Sequence, residues 1–285
     1  MVEEAPYSEY SIGMLARTDF ARRFGGNAVI GMVHVAALPG APLYGGSMQG
    51  IVEAALRDAR ALRDGGCDAI AFENFGDRPF FKDRVPPETV AALTRVIVEV
   101  AAEVGMPFGV NVLRNDAASA IAIAAATGAA FIRVNVHTGA MLTDQGIMEG
   151  RAAETLRKRA VLAPDLWIFA DHLVKHATPM VDVDDVQAAK DLRHRGLADA
   201  IIISGAETGA EPDRVRFARV RDALSVASNS APILIGSGLT EANAGTFADA
   251  DGAIVGTSIK IDGRVDAPVD PDRVKRLVAA FKNAR

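Results

Sequence analysis

ILIGSGLTEANAGTFADADGAIVGTS, residues 233–258, holds two short apolar runs, 233–235 and 252–255, each ending in a turn of small residues. Runs of three or four β-branched and aliphatic residues bounded by Gly read as buried strands rather than helices. The two turns, Gly236-Ser237-Gly238 and Gly256-Thr257-Ser258, repeat one design.

Upstream, the same unit recurs: a short apolar run, a polar or Gly-containing turn, then an amphipathic stretch. Further runs lie at 29–35, 69–72, 108–113, 131–136, 166–170 and 200–204, making eight with those at 233–235 and 252–255. Their starts are about 32 residues apart on average, close to the ~30-residue length of a βαβ unit. The intervening segments carry helix signals: 51–64 repeats apolar positions at helical spacing and stops at Gly65-Gly66, and Pro86-Pro87-Glu88 opens a helix that runs to Val104 and ends at Gly105. Asp116, Asp184 and Asp270 stand where N-caps belong, with helices ending at Gly128, near Gly196 and at the C-terminus. Eight strands alternating with helices close into a (β/α)8 barrel, with an open doubly wound sheet as the other arrangement of such units. No linker or low-complexity tract divides the chain. Residues 1–285 therefore read as one domain with an N-terminal extension, 1–27, in which 7–24 form an extra helix over the barrel's bottom.

Composition excludes several functions. With 49% hydrophobic and 24% charged residues, 26 Gly and 13 Pro, the chain is neither disordered nor collagen-like nor a coiled coil. The single cysteine, Cys67, forbids an intrachain disulfide and a Cys-based zinc site, and it fits a reducing cytoplasm. A net charge of −5 with no basic arm argues against nucleic acid. Met1-Val2-Glu3-Glu4 lacks the basic and apolar regions of a signal peptide, and the longest charge-free apolar stretch, 117–132, is too short to span a bilayer. The sequence shows no amphipathic membrane helix; a basic stretch at 151–159, interrupted by Glu154, leaves peripheral association open.

In such a barrel, chemistry belongs at the strand C-termini and the loops after them. These positions hold His34, Glu73-Asn74, Asn111 with Arg114-Asn115-Asp116, Arg133 and Asn135 before His137, Asp171-His172 with Lys175-His176, and Ser204-Gly205 with Thr208-Gly209. Polar groups converging there suit a small-molecule site. Gly236, Ser237, Gly238, Gly256, Thr257 and Ser258 occupy the turns after strands 7 and 8, the usual phosphate site of these barrels. Glu73 and Asp171 are the candidate acid/base pair. Lys175 is a base, a Schiff-base former or a second anion contact. His34, Asn74, Asn111, Arg133, Asn135, His172 and Ser204 are expected to bind substrate, although Arg133 paired with Glu73 or Asp171 would equally stabilise the barrel wall. No metal motif is present and the sequence requires no cofactor; a divalent cation held by Glu73, Asp171 or His172 stays open.

Several ordered motifs resemble the BtpA family: Gly31-Met-Val-His34 with Leu38-Pro39-Gly40-Ala41-Pro42, Glu73-Asn74 followed by Gly76-Asp77 and Pro79-Phe80, Gly109 to Asn115, Arg133-Val-Asn135, Thr143-Asp-Gln-Gly146, Val174-Lys-His-Ala177, Ser204-Gly205 with Thr208-Gly209, Gly236-Ser-Gly238, and Gly256-Thr-Ser258-Ile-Lys260. The resemblance runs from about residue 28 to 280 and implies a phosphate-binding barrel, without an assigned reaction. Two functions follow as expectations. The first is an enzyme acting on a small phosphorylated sugar or ribosyl compound by lyase, isomerase or glycosidic-cleavage chemistry. The second, from the family's name, is a non-catalytic factor for biogenesis of photosystem I or another membrane complex. A homo-oligomer is expected in either case.

Overall fold

The computed structural model describes residues 16–205, 211–225 and 230–284. Eight strands form its centre: β1 (Ala28–His34), β2 (Ala69–Glu73), β3 (Phe108–Asn111), β4 (Phe131–Val134), β5 (Trp167–His172), β6 (Ala200–Ile203), β7 (Ile233–Ile235) and β8 (Gly252–Val255). They pair in parallel and close on themselves, β1 hydrogen-bonding to both β2 and β8. The fold is thus the closed (β/α)8 barrel, and the open sheet is excluded.

Around it lie α2 to α8: Met48–Asp64, Pro87–Val104, Ala117–Thr127, Ala152–Leu162, Asp185–Lys190, Arg214–Leu224 and Pro271–Lys282, with α1 (Arg17–Phe24) ahead of β1. The expected caps are in place: Asp116 accepts from Ser119 N, Asp184 from Gln187 N, and Asp270 from Asp272 N and Arg273 N. Helix α2 begins earlier than its apolar period suggests, because Ser47 accepts from Gly50 N. Helix α6 runs on as a π-turn, Asp191–Arg195, into Gly196.

Strand alternation sorts the apolar residues into two cores. Ile30, Met32, Ala69, Ala71, Phe131, Phe169, Ile202, Leu234 and Ile254 fill the barrel interior. Their neighbours, among them Val29, Val33, Ile70, Val110, Ile132, Ile168, Ile201 and Val255, pack against the helices. The interior phase therefore continues upward through His34, Glu73, Asn111, Arg133, Asp171, Ser204, Gly236 and Gly256, one residue per strand.

The bottom is closed by α1, whose Phe20 and Phe24 are buried against Phe131, Trp167 and Phe169 at ring separations of 5.6 to 6.4 Å. Each such ring contributes about 1.5–3 kcal/mol of apolar burial. Residues 7–15 of the expected N-terminal helix lie outside the described residues. The bottom rim repeats one acidic device three times. Asp68, Asp199 and Asp251 each stand just before a strand, and each accepts the backbone N–H of a residue in the neighbouring strand, Val29, Ile168 and Ile233 respectively. Each also holds a cation: Lys282 at 2.7 Å, Arg159 at 2.8 Å and Arg17 at 2.8 Å.

At the opposite end a three-stranded antiparallel sheet rises from the loops after β4 and β5, built from Ala140–Thr143, Gly146–Glu149 and Ala177–Pro179. Its inner face, Met141 and Met148, packs with Val136 and Val174. Among the described residues no helix is long and apolar enough to cross a membrane.

A polar mouth joined to two small-residue turns

Glu73 ends β2 with His34 of β1 on one side and Asn111 of β3 on the other in the strand register. Its carboxylate lies 3.7 Å from His34 Nε2, and the His34 ring stacks on Phe75 at 4.5 Å between centroids. The loops after β1 and β2 are knitted together. Val35 N donates to Glu73 O, Gly76 N to Val35 O, and Leu38 N to the Asp77 carboxylate. A side chain at Gly76 would meet Ala37 N at 2.2 Å, so glycine is required for that approach.

The interior phase decides what each predicted residue faces. Arg133 and Asn135 share one face of the chain, and both reach Asp171. Arg133 donates to both Asp171 oxygens at 2.9 and 3.2 Å, and Asn135 Nδ2 donates at 2.7 Å. Asn111 Nδ2 in turn donates to Asn135 Oδ1 and to Arg133 O, while its own Oδ1 is buried without a partner among the described residues. Asp171, with both carboxylate oxygens accepting hydrogen bonds, thus anchors this network, and Arg133 is charge-balanced.

Two predicted residues fall out of phase. Asn74, next to inward Glu73, uses its side chain within the loops, accepting from Leu113 N at 2.7 Å and donating to Asp77 at 3.0 Å. His172, next to inward Asp171, turns toward α6, with Nε2 3.6 Å from Asp185. It lines a separate cavity of about 490 Å³ under the small sheet, where burial pushes its pKa down to about 4. His137 is a wall residue, bonded through Nε2 to Gly196 O at 2.7 Å. Ser204 is in phase but buried beneath Gly236, where an added Cβ would stand 2.3 Å from its Oγ. Thr208 and Gly209 lie outside the described residues. Among the described residues no group of three His, Cys, Asp or Glu side chains could hold a metal ion.

What remains is a cavity of about 500 Å³ lined by Glu73, Arg78, Arg114, Arg133, Asn135 and Lys175, among others. Burial raises the Glu73 pKa from its ordinary value, with Arg133, Lys175 and Arg114 opposing that shift. Burial, and then the positive charge of Arg133, lower Lys175 to about 8. His34 is held neutral, at about 3, by burial and by Lys260 and Lys175. The small sheet sets one rim: Asp144 at its hairpin turn lines the cavity, and Thr143 pairs with Ala177, two residues beyond Lys175. Arg114 was among the polar strand-end groups named from sequence but given no role of its own, and Arg78 and Asp144, in segments that also follow strand ends, were not named as site residues.

A narrow void of about 20 Å³ continues from this cavity, walled by His34, Glu73, Arg133 and Lys175 on one side and by Gly236, Ser237, Gly256 and Thr257 on the other. Ser237, Gly256 and Thr257 also line a recess of about 470 Å³ that holds Gly238, Ser258 and the α8 side chains Arg273 and Arg276. The two turns differ in detail. Gly236 N donates to Ile203 O at 2.8 Å, so this amide belongs to the barrel wall. Gly238 adopts φ +83°, a left-handed conformation suited to glycine, and its carbonyl accepts from Asn243 Nδ2. Gly256 has the His34 ring 3.1 Å from where a Cβ would stand. It leads into the short 3-10 turn Thr257–Ile259, whose first N–H groups have no intrahelical acceptor.

Comparison with known proteins places this geometry. A family model described as the BtpA family matches residues 26–283. The photosystem I biogenesis protein BtpA of Synechocystis is 46% identical over 259 residues, covering 90% of this chain and 88% of that protein. Among solved structures, N-(5'-phosphoribosyl)anthranilate isomerase from Pyrococcus furiosus superposes with TM-score 0.54 at 14% identity, over 90% of this chain and 98% of that one. Octameric ribulose-1,5-bisphosphate carboxylase/oxygenase from Pyrococcus horikoshii, solved with sulfate ion, superposes with TM-score 0.61 at 19% identity, over 95% of this chain and 61% of that one. At such identities the structural likeness is one of fold.

Proposed function

The chain belongs to the BtpA family, and from that premise we propose that it is an enzyme that binds a small phosphorylated sugar or ribosyl compound and moves protons on it. The observation that carries this reading is the continuity of the void from the Ser237 and Thr257 turns to Glu73 and Lys175. A phosphate seated at residues 237–238 and 256–258 places the adjoining carbons between those two side chains. Backbone N–H groups of the small-residue turns and the hydroxyls of Ser237, Thr257 and Ser258 supply its donors, with Arg273, paired to Asp270, and Arg276, paired to Glu241, at the rim.

Glu73 and Lys175 are the acid/base pair. Burial pushes the Glu73 carboxyl up from its ordinary value and the Lys175 ammonium down to about 8, the directions that suit general acid/base catalysis. Such groups serve isomerisation, lyase or glycosidic-cleavage steps alike. Asp171 is a positioning residue that fixes Arg133 and Asn135. Neutral His34 donates to, or accepts from, a substrate oxygen beside the turn.

The test is binding of ribose 5-phosphate by isothermal titration calorimetry. Wild type is expected to bind it and Thr257→Glu, which puts a carboxylate at the turn, to lose at least tenfold in affinity. Equal affinity in the two proteins would sink the phosphate assignment.

The Synechocystis relative's name supports a second reading, a non-catalytic role in assembling a membrane complex. Its structural support is the outer face of the small sheet, where Leu142 and Ile147 face each other across the hairpin and are 51% and 45% exposed, with Met180 and Val181 exposed nearby. Co-sedimentation with anionic lipid vesicles, lost on Leu142→Ser with Ile147→Ser, would favour it; a chain that stays in the supernatant would not.

A further inference from the structure

The charges around the 500 Å³ cavity do not balance. Arg133 is neutralised by Asp171, but among the described residues Arg114, Arg78 and Lys175 make no ion pair. Arg114 is 6% exposed, and one of its nitrogens donates to Lys175 O at 2.7 Å. A guanidinium carries five N–H donors in a planar fork, so most of its donors remain after that bond. Arg78 lies exposed above the same cavity, its guanidinium 5.1 Å from the Phe75 ring. The acids facing these cations are Asp171, whose oxygens already accept from Arg133 and Asn135, Asp144, exposed at the hairpin tip, and Glu73, whose burial favours the protonated form. A buried cation without a counter-ion is costly, and a ligand that supplies the missing negative charge removes that cost. Planar guanidinium groups match the two oxygens of a carboxylate or phosphate.

We propose that the mouth takes a ligand with an oxyanion at each end, a phosphate at the Ser237 and Thr257 turns and a carboxylate or second phosphate held by Arg114 and Arg78. The proposal rests on the phosphate reading above and specifies its far end. The narrow void joins the two anion positions, and Glu73 and Lys175 stand between them, so the reacting carbons lie in the middle of the ligand rather than at its free end. Two anchored ends fix the position of the bonds between them, which is how binding converts into orientation at the reacting centre.

The test compares three six-carbon probes by calorimetry on the full chain: glucose 6-phosphate with one anionic end, 6-phosphogluconate with a carboxylate at the other end, and fructose 1,6-bisphosphate with a second phosphate. One or both doubly anionic probes are expected to bind at least tenfold more tightly than glucose 6-phosphate, and whichever does so identifies the second oxyanion. Arg114→Gln should abolish that preference. Arg78→Ala, at an exposed position, should reduce the preference and carries the test if Arg114→Gln does not fold. Equal binding of all three probes by wild type, or a preference that survives both substitutions, overturns the proposal while leaving the phosphate turn intact. Binding of none of them removes the phosphate reading and the proposal with it.

Discussion

The two ends of the barrel are both rich in charge and treat it in opposite ways. At the bottom, Asp68, Asp199 and Asp251 each receive a strand N–H and a cation. At the mouth, Arg114 and Lys175 are drawn out of water and, among the described residues, make no ion pair of their own, since nearby Asp171 is bonded to Arg133 and Asn135 and Glu73 is held where burial favours its neutral form. Satisfied charge belongs to stability, and unsatisfied charge beside a cavity belongs to binding and chemistry. The Arg133–Asp171 pair shows that the mouth contains both kinds, because it is fully satisfied while sitting in the same ring of side chains.

Substitutions at the two ends should therefore separate function from stability. The largest effect is expected at the mouth: Glu73→Gln should lower turnover of a substrate found among phosphorylated sugars about 10²–10⁴-fold, the usual worth of a general acid or base. Its thermal midpoint should stay within a few degrees of wild type, since removing a buried carboxyl that burial already disfavours as an anion costs the fold little. At the bottom, Asp199→Ala leaves Arg159 and the Ile168 N–H without their acceptor, and should cost about 3–5 kcal/mol in chemical denaturation. Ribose 5-phosphate affinity, measured where the variant is folded, should not change. Lost binding with unchanged stability in Asp199→Ala would mean that the two ends of the barrel do not divide stability from function.

A smaller effect follows from Lys175. Its folded-state pKa, about 8, lies below the 10.5 of an ordinary lysine, so between those values the unfolded chain binds a proton that the folded protein has released. Stability from this group therefore rises with pH across that window, and its cost is fully present below about pH 8. Lys175→Met should melt higher than wild type at pH 7, with the gap closing above pH 10.5. A gap independent of pH would mean that packing, not charge, separates the two proteins.

Much of the barrel was legible in the chain. Each of the eight apolar runs became a strand with ends shifted by at most about two residues, because a buried parallel strand must be apolar on both faces. The caps at Asp116, Asp184 and Asp270 were legible because a carboxylate before a helical period has one local use. The small sheet of residues 140–149 and 177–179 was not, since its strands of three or four residues carry too little periodicity. In the site, the alternation of strand residues was the readable signal that distinguishes Glu73 from Asn74 and Asp171 from His172; proximity to a strand end alone brought all four together. The bottom acids also left a trace in the sequence, an Asp followed by Ala or Gly at 68–69, 199–200 and 251–252. The places of Arg78 and Arg114 over the cavity depend on how the loops after β2 and β3 fold across the mouth, as in the bond from Arg114 N to Phe81 O, and no local pattern encodes that.

The mouth gathers more positive than negative charge around Glu73 and Lys175, and the Lys175 side chain reports that excess most directly. Its titration, followed by NMR of a lysine-labelled chain assigned with Lys175→Met, should show a midpoint near pH 8 that rises when fructose 1,6-bisphosphate is bound, as the ligand's negative charge stabilises the ammonium. A midpoint at the 10.5 of an ordinary lysine, unmoved by that ligand, would mean that Lys175 is solvated and the mouth carries no excess of positive charge.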